Sequence, residues 1–214
     1  MTYATRELSD EDRRELIALG AATLGESGAT ALSPRIRPVW KGAAFAAPAF
    51  TAACAPGDNL AMHAALAAAR PGMALVAACQ GDSVRGYWGE VMTIAAAAAG
   101  IVALVIDGQV RDVAAIEQHG FPVFATGVAL RGAAKTGPGA LQVPIALGDA
   151  IINPGDWLVG DTDGVVVIRQ EDLTDCRAAG AARASKEAGI FERLRAGATT
   201  AELLSLDLSA IENA

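Results

Sequence analysis

The chain has 214 residues, of which 52% are hydrophobic, 5% aromatic and 19% charged. A chain this apolar can bury a sizeable core, which excludes the disordered class. Its 17 basic and 24 acidic residues leave a net charge of −7, so its composition carries no electrostatic footprint for nucleic acid.

The longest apolar run, residues 94–106, is interrupted by Gly100 and falls short of the ~20 residues a membrane helix needs. The charged segment 1–14 lacks the apolar stretch of a signal peptide, so a cytoplasmic location is expected. Cys54, Cys79 and Cys176 are widely spaced, as expected of reduced thiols rather than a disulfide framework or zinc site. His63 and His119 are too far apart for a local metal motif.

In chain order, residues 9–24 read as a helix. Ser9 can cap it, and Glu11 and Asp12 suit the dipole of its first turn. Leu16, Ile17, Leu19 and Leu24 supply its apolar face. Residues 42–55 read as a strand, with Pro48 indicating an edge or a bulge. Asp58 is the expected cap of a helix running from Leu60 to Arg70, and Met73 to Cys79 reads as a buried strand. Residues 81–89 form a glycine-rich connection, followed by a helix over 90–99 that Gly100 ends. A strand over 101–106, a tight turn at Asp107-Gly108, a short helix over 112–119 and a strand over 123–126 complete an α/β middle. Residues 141–168 read as hairpins broken by Gly-Asp turns. A long polar helix over 171–196 and a short one over 199–206 end the chain. Without a clean linker or internal repeat, the reading is one α/β domain over 1–214, with its motif-bearing core over about 42–170 and helices at both ends.

Three stretches can carry chemistry. Residues 81–90, after a buried strand and before a helix, can present backbone N–H groups to a carboxylate or phosphate; they also read as an ordinary loop. They do not form a dinucleotide fingerprint. In residues 107–112, Arg111 offers a planar fork for a carboxylate. Asp112 is a hard oxygen ligand of the kind Mg²⁺ takes; it also reads as a plain helix cap. Asn59 and His63, four residues apart, share one helix face, either at a pocket or in half-buried packing.

Weaker signals add little. Lys135-Thr136-Gly137 is not a P-loop, and Ser83 is not in a hydrolase elbow. Asp156, Asp161 and Asp163 suit turns. The charges of 177–195 suit a solvated face. For a Schiff-base mechanism only Lys41, Lys135 and Lys186 exist, and none lies in an apolar strand that would activate its amine.

Together, the segments PGDNLAMHAAL (56–66), GDSVRGYWGEVMTIAA (81–96), GIVALVIDGQVRDVAAIEQHGFPVFATG (100–127) and INPGDWLVGDTDGVVVI (152–168) resemble the RraA-like family. That family includes the class II, divalent-metal 4-hydroxy-4-methyl-2-oxoglutarate / 4-carboxy-4-hydroxy-2-oxoadipate aldolases. The resemblance implies a β/β/α swivelling fold and a homotrimer or homohexamer with sites between subunits. It places the metal, Mg²⁺ or Mn²⁺, on Asp112 and the pyruvoyl carboxylate on Arg111. It sets the substrate beside the backbone of Gly86, Tyr87, Trp88 and Gly89. Glu90 takes the position of an acid, often Asp, that holds a metal-bound water. Asn59 and His63 border the pocket, and Glu187 lies where a neighbouring subunit's acid reaches it.

The activity implied is retro-aldol release of pyruvate from a small 2-keto acid, with oxaloacetate decarboxylation as a side activity. A metal-ordered water near Glu90 is the base this picture supplies. Neither nucleic acid nor membrane enters it. Two alternatives stand beside it. One is a non-catalytic regulator of ribonuclease E, whose family members lack the acid after the motif arginine. The other is an enzyme for a different 2-keto or hydroxy acid.

Overall fold

The computed structural model describes residues 8–80 and 84–211. Gly81, Asp82 and Ser83 of the glycine-rich connection lie outside the described residues. The first helix, α1 (Asp10–Gly25), opens on a capping box. The Asp12 N–H donates to the Ser9 hydroxyl at 3.1 Å, and the Ser9 N–H to the Asp12 carboxylate at 3.2 Å. Leu16 and Leu24 are buried, whereas Ile17, expected on the same face, is exposed. The helix is broken at Gly20 (φ 77°, ψ 163°). This change of direction turns the helical face, and the Ala21 N–H donates to Asp161 Oδ2 at 2.7 Å.

Two short strands, β1 (Thr30–Ala31) and β2 (Arg37–Pro38), lead to β3 (Phe45–Cys54). Next come α2 (Leu60–Ala68), β4 (Ala74–Ala78), β5 (Arg85–Trp88), α3 (Glu90–Ala98), β6 (Ala103–Ile106) and β7 (Gln109–Val110). They are followed by α4 (Val113–Gln118), β8 (Val123–Ala125), β9 (Gly127–Val128), β10 (Arg131–Gly132) and β11 (Gly139–Leu141). The hairpins β12 (Ile145–Leu147)/β13 (Ala150–Ile152) and β14 (Trp157–Asp161)/β15 (Gly164–Ile168) precede α5 (Leu173–Arg195) and α6 (Thr200–Leu204). The α/β class and the helices at both ends are as read from the sequence. No helix among the described residues is long and apolar enough to cross a membrane.

A nine-stranded sheet runs β1-β15-β14-β3-β4-β6-β8-β2, with β11 joined to β3. Within it β3, β4, β6 and β8 are parallel and apolar, as strands covered on both faces must be. Helices α2, α3 and α4 contribute Met62, Met92 and Ile116 to the core on one face; the β12–β13 hairpin contributes Ile145 and Ile152 on the other. A third cluster packs Leu16 and Leu24 against Trp157, Val159 and Cys176.

Pro48 lies inside β3, at the sheet's centre rather than at an edge. Ala49 N–H points to the β14 side, where it bonds the Asp156 carbonyl at 2.8 Å. By strand alternation, the Pro48 nitrogen faces the β4 side, where pairing begins only at Ala49. The ring therefore removes no ladder bond.

The strands β4, β6 and β8 each continue at their C-terminal ends into β5, β7 and β9. With β10 these form a second, four-stranded sheet ordered β10-β5-β7-β9, all parallel. Residues 85–88, expected within a connection, thus form a strand, while Asp107-Gly108 is the bend that leads into β7.

Candidate active site

A cavity of about 170 Å³ opens beside the small sheet. Four parts of the chain build it. Strand β5 and the start of α3 supply Gly86, Tyr87, Trp88, Gly89, Val91 and Met92. The link after β7 supplies Arg111 and Asp112; α2 supplies Asn59 and His63. Gly132, Ala133 and Lys135 close the remaining side.

Arg111 is positioned by its backbone N–H, which donates to the Trp88 carbonyl at 2.9 Å. Asp112 occupies the position before α4 but adopts the left-handed conformation (φ 57°) and makes no side-chain cap to that helix. Its carboxylate instead serves α3: Oδ2 accepts the Glu90 N–H at 3.1 Å and lies 3.6 Å from Arg111 Nε. Oδ1 has no partner among the described residues. The cap reading of Asp112 is therefore replaced by a bridge between two helix starts.

Two glycines make this close approach workable. A Cβ on Gly86 would stand 2.5 Å from the Ala129 carbonyl oxygen, and one on Gly89 would collide with Asp112 Oδ2. Strand β5 is paired with β10 at Arg85 and Gly86 and with β7 at Gly86 and Trp88, and Gly86, Tyr87, Trp88 and Gly89 all border the cavity. The strand leads directly into the start of α3. The first N–H groups of α3 have no intrahelical acceptor; Asp112 takes that of Glu90, while Val91 and Met92 border the cavity. A helix N-terminus favours a carboxylate there.

The α2 side is held by Tyr87 and Asp58. The Gly57 N–H donates to the buried Tyr87 hydroxyl at 2.6 Å, and Asn59 Nδ2 donates to the Tyr87 carbonyl at 2.7 Å. Asn59, 5% exposed, occupies the position before α2 expected for Asp58. Asp58 accepts the N–H groups of Leu60 at 2.8 Å, Thr136 at 2.6 Å and Gly137 at 2.7 Å. Asn59 Oδ1 and His63 Nε2 are buried without hydrogen-bond partners among the described residues. Burial pushes the His63 imidazole below its ordinary value of 6.5; Lys135 adds to that push and Asp58 opposes it.

The cavity thus gathers Arg111, Asp112, Gly86, Tyr87, Trp88, Gly89, Asn59 and His63. Glu90 joins through its backbone only: its Oε1 lies 3.4 Å from His119 Nε2 at the C-terminal end of α4, and the side chain does not line the cavity. Glu187, expected to serve a neighbouring subunit's site, lies on α5, 2.9 Å from Arg183 of the same helix and outside the cavity of its own chain. Lys135, Gly132 and Ala133 were missed. They enter because β10 pairs with β5 and Ala134 bridges Asp58, pairings of two residues or fewer that carry no readable period.

No group of three or more His, Cys, Asp or Glu suited to a metal occurs among the described residues. The donor set at the cavity is one hard carboxylate oxygen, Asp112 Oδ1, on a side chain 43% exposed. That fits Mg²⁺, which keeps most of its waters and takes one or two carboxylates. It does not fit a zinc cage.

A family model described as RraA-like, Aldolase/RraA, matches residues 5–167. The chain belongs to the RraA-like family. Among RraA-like relatives, a candidate 4-hydroxy-4-methyl-2-oxoglutarate aldolase of Halalkalibacterium halodurans is 40% identical over 141 residues, 66% of this chain and 67% of that one. A protein of the same description from Burkholderia multivorans is 35% identical over 170 residues, 78% of this chain and 96% of that one. An uncharacterised Pseudomonas syringae pv. tomato protein of known structure superposes with TM-score 0.82 at 27% identity, over 93% of this chain and 95% of that one. Streptomyces coelicolor RraAS2, described as an unusual member of the RNase ES inhibitor RraA family, gives 0.74 at 25%, over 89% and 99%.

Proposed function

We propose that this RraA-like protein is a divalent-metal-dependent lyase. Its substrates would be 4-hydroxy-2-oxo acids such as 4-hydroxy-4-methyl-2-oxoglutarate or 4-carboxy-4-hydroxy-2-oxoadipate, cleaved to pyruvate and a second keto acid. The carrying observation is the cavity in which Arg111 and Asp112 meet the N-terminus of α3. The candidate aldolases at 35% and 40% identity support the same reading.

Cleavage of the C3–C4 bond leaves the enolate of pyruvate, whose charge must be met. Arg111 presents a fixed planar cation to the pyruvoyl oxygens. The α3 N-terminus orients the C1 carboxylate. A divalent cation bound at Asp112 would supply Lewis-acid polarisation of the 2-keto group. Oxaloacetate presents the same pyruvoyl half, so its decarboxylation is the expected side activity.

The reading extends to a homotrimer or homohexamer with sites between subunits. Val91, at the cavity, is 79% exposed and Leu130, beside β10, is 85% exposed, as apolar side chains that a second copy would cover. Asp112 beside a formed cavity favours catalysis over a purely regulatory role. Asp112→Ala tests this: Mg²⁺-dependent pyruvate release should fall at least about 100-fold while the fold is kept. Retained Mg²⁺-dependent turnover in that variant would overturn the proposal.

A further inference from the structure

Arg111 and the N-terminus of α3 can hold one carboxylate together only if the passage from β5 into α3 keeps a fixed shape. That passage is Trp88-Gly89, and Gly89 has no side chain with which to lock it. Thr93, one turn into α3 and fully buried, reaches back to it. Its hydroxyl accepts the Trp88 indole N–H at 2.8 Å and donates to the Gly89 carbonyl at 3.1 Å. The bond to Gly89 is the ordinary back-bond of a helical threonine to the residue four before it. The bond from Trp88 is not: it ties the side chain of the last strand residue to the helix that follows. The Trp88 ring is also stacked on Phe121, with centroids 6.1 Å apart and planes at 15°.

The same two residues carry the link to the cavity groups. The Trp88 carbonyl accepts the Arg111 N–H at 2.9 Å. Just after Gly89, the Glu90 N–H meets Asp112 Oδ2 at 3.1 Å. Thr93 itself does not line the cavity.

We infer that Thr93 is a positioning residue: its hydroxyl sets the Trp88-Gly89 passage, and with it the placement of Arg111 against the free N–H groups of α3. The identity of the ligand so held rests on the lyase reading above. Without the hydroxyl, the buried Trp88 indole N–H loses its acceptor, a condition relieved by a shift of the ring and of the backbone on either side of it. Arg111 and the α3 N-terminus meet the pyruvoyl carboxylate before and during cleavage alike, so their misplacement weakens binding rather than the chemical step. A hydroxyl that only closed a helix turn would contribute to stability and leave binding unchanged.

Two variants remove the hydroxyl: Thr93→Val keeps the side-chain shape, and Thr93→Ala adds no bulk. Thr93→Ser retains it. With Mg²⁺ present, kcat/KM should fall about tenfold in the first two, mostly through KM. The factor should be the same for 4-hydroxy-4-methyl-2-oxoglutarate and oxaloacetate, which share the pyruvoyl half. Thr93→Ser should stay within about threefold of wild type. Calorimetric binding of pyruvate with Mg²⁺, which needs no turnover, should weaken about tenfold in Thr93→Val and Thr93→Ala. Three results would each overturn the assignment: folded Thr93→Val and Thr93→Ala with wild-type KM and pyruvate affinity, a loss that Thr93→Ser shares in full, or failure of both variants to fold. Wild-type protein that releases no pyruvate from either substrate, yet binds it in a Thr93-dependent way, would remove the lyase reading and leave this one standing. Wild-type protein that neither cleaves nor binds would remove both.

Discussion

A Cβ on Gly89 would collide with Asp112 Oδ2 and stand 3.2 Å from Arg111 Cγ. Gly89→Ala should therefore displace both groups without touching the core. Pyruvate release is expected to drop about 100-fold, the scale of an ångström-sized misplacement, with the circular-dichroism spectrum unchanged. Asp58 acts on the opposite wall. Burial alone would raise its carboxyl pKa, but the N–H groups of Leu60, Thr136 and Gly137, with Lys135, outweigh this and hold it below the usual 3.8. A lowered folded-state value means the stabilisation is complete above pH 3.8 and lost as pH falls through that folded value. Asp58→Asn should thus flatten the loss of stability as pH falls below 3.8, measured by urea unfolding. That Arg111, Asp112, Asn59 and His63 share a cavity was legible because strand ends and i, i+4 spacing point to them. Lys135 was not, because its place depends on a single bridge between Ala134 and Asp58.

At the scale of elements, the break in α1 is the main departure from the sequence reading. Apolar spacing over residues 9–24 describes one continuous helix, and a lone glycine inside it is ordinarily tolerated. Here Gly20 adopts φ 77°, and Asp161, from the end of β14, caps the second segment at Ala21. A 140-residue separation hides that partnership from any local pattern. Asp161→Ala should cost about 1 kcal/mol, as loss of a helix cap does, seen as a lower urea midpoint with pyruvate release unaffected. Strands β5, β7 and β9 escaped notice for a related reason. At two to four residues, their identity comes from pairing with one another, and Gly86 and Gly127 in them read as loop residues. The main parallel strands were legible because their apolar runs are continuous.

At the scale of the whole molecule, the two sheets divide the work. The large one buries the apolar strands, and the small one gathers their C-terminal exits around Arg111 and Asp112. The fold class followed from strand–helix alternation and Gly-Asp hairpin turns. The assembly of the cavity did not, since it needs four distant segments to converge. The central claim, a metal-dependent lyase at that cavity, is tested most directly by pyruvate release coupled to lactate dehydrogenase. Wild-type protein would receive 4-hydroxy-4-methyl-2-oxoglutarate or oxaloacetate, with Mg²⁺ or with EDTA. The account predicts release from both substrates with Mg²⁺ and none with EDTA. Release that is indifferent to EDTA, or silence on both substrates with Mg²⁺ present, would contradict it.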